Sequence, residues 1–201
     1  MYKIMSQKKF NILISLIVFM LVFTLAEVTA LSAYGDENYE NEEYEARESF
    51  LREDITYENH YTSGIDMDVF WNFSEEETGE EKILIRLETP ETGWVSIGFE
   101  PSRRMQDAEI IIVGFEEEVT LEEHYGNAPT SHEQIEASYI EEYYAERDQE
   151  GTVAEFIVPL TEESRYELEP GESYEVILGY HDSSDNFLDR HTQRTSTEIE
   201  F

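Results

Sequence analysis

The amino-acid sequence predicts an antiparallel Greek-key β-sandwich of about nine strands over residues 55–201. Three observations support this all-β class: the apolar runs are short, turn-forming residues separate them, and helical periodicity is absent from this region. Short strands at close intervals are typical of a sandwich, because each strand has one face to bury. A domain of about 147 residues is large enough for one apolar core without disulfides.

Residues 1–33 precede this domain and have the order of a secretory signal peptide. A basic start leads into an apolar run over 12–26, and small residues end two cleavage-type sites at Ala30 and Ala33. The run of about 15 residues is short for a membrane span, which needs roughly 20. We therefore expect a secreted or cell-surface protein, with an uncleaved N-terminal membrane anchor as the alternative.

Residues 34–54 are acidic and show no apolar periodicity, which predicts a flexible linker. The whole chain has 13 basic and 47 acidic side chains, a net charge of −34. Removal of residues 1–33 would leave 10 basic and 46 acidic side chains. This acidic protein is a poor partner for nucleic acid or an anionic membrane surface.

The chain contains no cysteine. Disulfides, thiolate metal sites, iron–sulfur clusters and covalently attached c-type haem are therefore excluded.

The predicted strands follow from local patterning. In the run IDMDVFWNF, apolar residues alternate with polar ones from Met67 to Phe73, which is typical of a half-buried strand. The segment DQEG, residues 148–151, lies between two such runs and predicts a hairpin turn. The predicted strands span residues 65–73, 82–88, 93–99, 108–115, 119–125, 135–146, 152–160, 173–181 and 196–201.

The block GWVSIGFEPSRRMQDAEIIIVGF, residues 93–115, places Met105 at the centre of a polar loop between two apolar strands. Judged by residue type alone, Met105 has two interpretations. It can be a flexible apolar side chain that packs over the core, or its thioether sulfur can bind a metal.

This block resembles the central signature of DOMON domains, in which GW(V/A)xxGF runs through a loop into a strand that begins with Ala-Asp. An acidic HYG segment, the strand EFIVPL and the stretch YEVILGYHDSSDNFLDRHTQR follow in the same order. The resemblance spans about residues 60–201. Glu109 stands where aspartate is commoner, and Thr195 stands where many members have glycine.

The resemblance implies an extracytoplasmic, immunoglobulin-like β-sandwich that binds haem or sugars. Haem-binding members are similar to the cytochrome domain of cellobiose dehydrogenase, where one methionine and one histidine hold b-type haem. The methionine follows GWxxxGF, which corresponds here to Met105. The histidine precedes the last strand, which favours His191, with His181 as the alternative. His60, His124 and His132 have no partner at metal-ligand spacing and are expected to be surface or loop residues.

Positive charge is concentrated beside these candidate ligands, at Arg103, Arg104, Arg190 and Arg194. The arginines either compensate nearby carboxylates, which contributes little at a surface, or pair with the propionates of a haem.

The sequence and this resemblance therefore favour a secreted b-type cytochrome domain that binds one haem b non-covalently and transfers electrons outside the cytoplasm. Its partner would be a separate redox protein or a membrane electron-transfer complex. No catalytic motif is present, so we expect no enzymatic activity from the chain itself. The alternatives are a carbohydrate or small-molecule binding DOMON module without redox activity, and a structural surface domain without a cofactor.

Overall fold

Alternation of apolar and polar residues builds eleven β-strands in the described part of the computed structural model. The structure describes residues 47–75, 80–115, 117–136, 138–140, 142–161 and 164–201. The strands are β1 (Asn59–Thr62), β2 (Asp68–Glu75), β3 (Glu81–Thr89), β4 (Val95–Phe99), β5 (Glu109–Phe115), β6 (Val119–Ala128), β7 (Ser131–Gln134), β8 (Tyr143–Arg147), β9 (Thr152–Pro159), β10 (Ser173–Tyr180) and β11 (Gln193–Glu200). Within the described ranges there is no helix with the length and apolar character to cross a membrane. The predicted signal peptide lies outside the described residues.

The strands form two antiparallel sheets. One has five strands in the order β1-β2-β3-β9-β8, and the other has six in the order β11-β10-β4-β5-β6-β7. The pairs β3–β9 and β4–β10 join strands that are far apart in the chain. The predicted antiparallel Greek-key sandwich is therefore confirmed.

Eleven strands replace the predicted nine because two four-residue edge strands, β1 and β7, were not predicted. The predicted strand over residues 135–146 is wrong in its first part, since β8 begins only at Tyr143. Backbone N–H groups of Tyr139 and Ile140 instead donate hydrogen bonds to the Glu123 carboxylate, which is 2% exposed. A buried carboxylate needs such donors, and the loop provides them at the expense of strand pairing. The predicted DQEG turn is present, closed by a hydrogen bond of 3.0 Å from Asp148 N to Gly151 O.

The core lies between the two sheets and is built from every second residue of the central strands. On β4 and β5, the inward side chains include Val95, Ile97 and Ile111. Their neighbours Ile110 and Ile112 point away from the core and join a separate cluster on the outer face of the six-stranded sheet. That face carries the candidate site.

Residues 47–54, which fall in the predicted linker, pack on the outer face of the five-stranded sheet. The hydroxyl of Ser49 and the backbone N–H groups of Phe50 and Leu51 donate hydrogen bonds to the fully buried carboxylate of Glu155. Arg86 Nη1 lies 3.0 Å from the other oxygen of that carboxylate. This part of the segment is therefore ordered against the sheet. Residues 34–46 lie outside the described residues.

Candidate functional site

The outer face of the six-stranded sheet has a depression where its central residues are small. The register pairs Ser96 of β4 with Gly179 of β10, and Gly98 of β4 with Ile177 of β10. Ile112 of β5 pairs with Ser96 on the other side. Since paired residues share a face, small side chains form the floor and isoleucines form part of the wall.

Two adjoining cavities, of about 320 and 440 Å³, open on this face, and we call them together the outer-face cavity. Volumes of this order are typical of small-molecule and cofactor sites. Five residues line both parts, namely Trp94, Met105, His132, His191 and Arg194. Apart from Leu178 of the core, the apolar residues that line the inner part belong to the outer-face cluster, so a bound ligand would lie on the sheet and not between the sheets.

Met105 reaches the cavity because its loop is held against β6. The N–H of Asp107 donates to the carbonyl of Gly126 at 2.7 Å, and the N–H of Gly126 donates to the carbonyl of Ala108 at 2.9 Å. A Cβ atom at Gly126 would lie 1.5 Å from the Met105 carbonyl oxygen, so only glycine permits this approach. Arg104 and Asp107 adopt left-handed φ angles of 58° and 66°, which bends the chain sharply on both sides of Met105.

His191 lines the cavity from the loop between β10 and β11. Its Cβ lies 3.7 Å from the position that a Cβ of Gly179 would occupy. Burial lowers the pKa of the His191 imidazole, a hydrogen bond to its own backbone opposes this, and the charges of Arg194 and Arg190 lower the pKa further. A neutral imidazole has a lone pair free for a ligand. The structure thus brings Met105 and His191, the favoured pair, into one cavity.

His181 lies outside the cavity. Its Nδ1 accepts hydrogen bonds from the backbone N–H groups of Ser183, at 3.1 Å, and Ser184, at 2.9 Å. The imidazole therefore closes a turn at the end of β10, and it does not line the cavity with Met105. The same turn packs on Gly93, where a Cβ would lie 2.3 Å from the His181 carbonyl oxygen.

The candidate arginines divide between two places. Arg104 and Arg194 line the outer-face cavity, Arg190 lines its outer part, and Arg103 lies in a separate surface depression. Among the described residues, none of these four side chains forms an ion pair. Five other arginines each pair with a carboxylate: Arg47, Arg52, Arg86, Arg147 and Arg165. In so acidic a chain, unpaired arginines at one cavity indicate a site suited to anionic groups.

His132 is a cavity residue that the sequence analysis missed. The expectation that it and His124 are surface or loop residues is wrong for His124, which is 3% exposed. Nδ1 of His132 lies 2.9 Å from Nδ1 of His124, and Nε2 of His124 lies 2.9 Å from the carboxylate of Glu122. Burial lowers the pKa of His132, and the charges of His124 and His191 lower it further. The contact depends on the unpredicted pairing of β7 with β6, so sequence spacing carried no signal for it.

The sulfur and imidazole donors of the cavity are one thioether and two imidazoles, and the carboxylate of Asp189 lines its outer part. In the part of the chain that the structure describes, no group of three or more His, Asp or Glu side chains could hold a metal ion. The indole N–H of Trp94 is buried and lacks a hydrogen-bond partner among the described residues. A ligand with an acceptor group in this cavity could satisfy it.

Comparisons with known proteins agree with this architecture. A family model described as "DOMON domain" matches residues 64–181. The cytochrome b domain of pyranose dehydrogenase from Coprinopsis cinerea is similar at a TM-score of 0.58 and 8% identity, over 77% of this chain and 86% of that one. The cytochrome domain of Myriococcum thermophilum cellobiose dehydrogenase is similar at a TM-score of 0.53 and 12% identity, over 77% and 88%. At these identities the similarity shows a shared fold. No curated protein matches the chain.

Proposed function

This chain belongs to the DOMON domain family, and on that premise we propose that it is a b-type cytochrome domain. In this proposal it binds one haem b non-covalently in the outer-face cavity, with Met105 and His191 as axial ligands. The observation that carries the proposal is that these two side chains line one cavity. Its similarity in fold to two cytochrome domains of dehydrogenases supports the same role.

The distance between the strands beside Met105 and His191 is compatible with a macrocycle between these two residues. The backbone beside Met105 is hydrogen-bonded to β6, whereas His191 lies beside β10. Strands β5 and β4 separate β6 from β10, and adjacent strands are about 4.8 Å apart, so roughly 14 Å of sheet lies between them. The apolar cluster on this stretch of sheet, which includes Ile110 and Ile112, would contact a bound porphyrin and exclude water.

The charge of the cavity suits the carboxylates of haem b. Arg104 and Arg194 have no carboxylate partner among the described residues and face the same space as the two candidate ligands. Guanidinium groups bind carboxylates through short, charge-assisted hydrogen bonds. The unpaired indole N–H of Trp94 adds a neutral donor at the same place.

Haem iron, when bound, supplies one-electron chemistry, and thioether ligation opposite imidazole raises its reduction potential. The residues of the chain would position the cofactor, hold its carboxylates and exclude solvent. With both axial donors supplied by the protein, we propose electron transfer and not catalysis. The partner in this proposal is a separate redox protein or membrane complex outside the cytoplasm, to which the predicted export segment would direct the chain.

Titration of the purified apoprotein with haemin tests the proposal. We expect a Soret band that saturates at one haem per chain, and sharp low-spin α and β bands after reduction. Met105→Leu keeps the apolar volume and removes the thioether, so it should lose the absorption band that a thioether ligand gives ferric iron. His191→Ala should lose the low-spin spectrum, whereas the matched variant His181→Ala should keep it.

A wild-type protein that gains no Soret band would overturn the proposal and favour the carbohydrate or small-molecule module. Equal loss of the low-spin spectrum in His181→Ala and His191→Ala would refute the assignment of the imidazole ligand. Circular dichroism of each apoprotein separates these results from misfolding.

A further inference from the structure

The outer-face cavity contains a second imidazole, His132, whose Nδ1 is in hydrogen-bond contact with His124. The ring is the cavity end of a hydrogen-bonded chain of three side chains on the outer face of the sheet. Glu122 and His124 are two residues apart on β6, so they share that face, and His132 is on the adjacent edge strand β7. His124 is 3% exposed, and the Glu122 side chain is 24% exposed, so the chain runs from the surface into the cavity.

The tautomers follow from donors and acceptors along this chain. An ionised carboxylate only accepts hydrogen bonds, so Nε2 of His124 carries the proton that Glu122 accepts. With His124 neutral, its Nδ1 is bare, and His132 is then the donor in the 2.9 Å contact between the two Nδ1 atoms. Neutral His132 is therefore protonated on Nδ1, and its Nε2 has a free lone pair.

This is the arrangement that metal-binding histidines adopt. Such a histidine donates its other ring N–H to a fixed acceptor, which orients the ring and strengthens the donor nitrogen. For His132 the acceptor is His124, itself bound to a carboxylate.

The position of His132 relative to the proposed ligands is also defined. The Met105 loop is hydrogen-bonded to β6 through Asp107 and Gly126, and His132 is attached to β6 through His124. His191 lies beside β10. The Met105 loop and His132 are thus both attached to β6, and β5 and β4 separate β6 from β10.

We propose that His132 is a second axial donor on the Met105 side, which binds the iron opposite His191 when the thioether is absent. This inference rests on the proposed haem-binding function. The cavity would then hold one cofactor in two coordination states, methionine–histidine and histidine–histidine. The second state has the lower reduction potential, because a thioether favours reduced iron more than an imidazole does.

One test needs no cofactor. Nitrogen-15 NMR of the histidine side chains in the apoprotein at pH 7.5 should show the Nδ1–H tautomer for His132 and the Nε2–H tautomer for His124. Glu122→Ala should reduce the population of the Nε2–H tautomer of His124, whereas the matched variant Glu118→Ala should leave it unchanged. An Nε2–H tautomer at His132 in the wild-type protein would overturn the inference.

A second test uses the haem-loaded protein. Met105→Ala should remain six-coordinate and low-spin, with a lower midpoint potential than the wild type. Adding His132→Ala to that variant should convert it to high-spin, and added imidazole should restore the low-spin spectrum. The control pair Met105→Ala with His60→Ala should stay low-spin.

The outcomes separate this inference from the proposed function. A wild type without a Soret band means that the proposed function fails. A wild type that binds haem with a thioether ligand, combined with a high-spin Met105→Ala variant, overturns only the role of His132. Urea unfolding of each apoprotein shows whether a variant has lost its fold instead of a ligand.

Discussion

The position of Met105 depends on one glycine, and Gly126→Ala is the sharpest test of that dependence. A Cβ at residue 126 would lie 1.5 Å from the Met105 carbonyl oxygen, whereas real Cβ contacts are essentially never shorter than 3.0 Å. The atom in the way is backbone, so the loop must move by about 1.5 Å. Rotation of a side chain does not relieve the clash.

The movement would break two hydrogen bonds between the loop and β6. Asp107 N to Gly126 O is 2.7 Å long, and Gly126 N to Ala108 O is 2.9 Å long. At about 0.5–1.5 kcal/mol each, their loss should lower the free energy of unfolding by about 1–3 kcal/mol. The thioether would shift with the backbone, so the spectral band of a thioether ligand should weaken or disappear in haem-loaded protein.

Urea unfolding of the apoprotein measures the first effect, as a lower midpoint at an unchanged slope. Gly64→Ala is the matched control, because nothing lies within 4 Å of a Cβ placed there. That control should be neutral, or more stable by up to about 1 kcal/mol. If Gly126→Ala unfolds at the wild-type midpoint and keeps its thioether band, the loop is not held in the way described.

Two further predictions concern the sheets. Arg86→Met should lower the free energy of unfolding by about 3–5 kcal/mol in urea, because it leaves the buried carboxylate of Glu155 without its cation. The control Arg52→Met removes an exposed ion pair and should cost less than about 1 kcal/mol. Equal losses in the two variants would contradict the stabilising role of the buried pair. Burial depresses the pKa of His132 below 6.5, so the folded apoprotein binds this proton less readily than the unfolded chain does. Its stabilising contribution is present above about pH 6.5 and is lost as the pH falls through the depressed value. Thermal unfolding from pH 7.5 to 5 should therefore show a smaller acid loss in His132→Asn than in the wild type, and parallel curves would refute this.

The strands and their inner faces could be predicted because the information is local. Val95, Ile97 and Phe99 alternate with small residues, and such a pattern is stable only when one face of the strand is buried. The predicted strand over residues 135–146 was wrong in its first part because the interactions that decide this segment are not local. The backbone N–H groups of Tyr139 and Ile140 donate hydrogen bonds to the carboxylate of Glu123, which lies on β6 and is not a neighbour in the sequence.

Met105 and His191 were predicted from the order of motifs, and the structure places both at one cavity. Residue type did not distinguish His191 from His181, which lie ten residues apart in one stretch. The distinction appears only in the fold, where the turn after β10 uses the His181 ring to bind two backbone N–H groups.

The sequence by itself determined the all-β class, the alternation that separates inner from outer faces, and the acidic character of the chain. Only the tertiary structure decided where the site is. Strand pairing puts Ser96, Gly179 and Arg194 in one row across three strands, and it brings the unpredicted edge strand with His132 to the same face. Period-two patterning specifies which way a side chain points, but it does not specify which distant strand lies beside it.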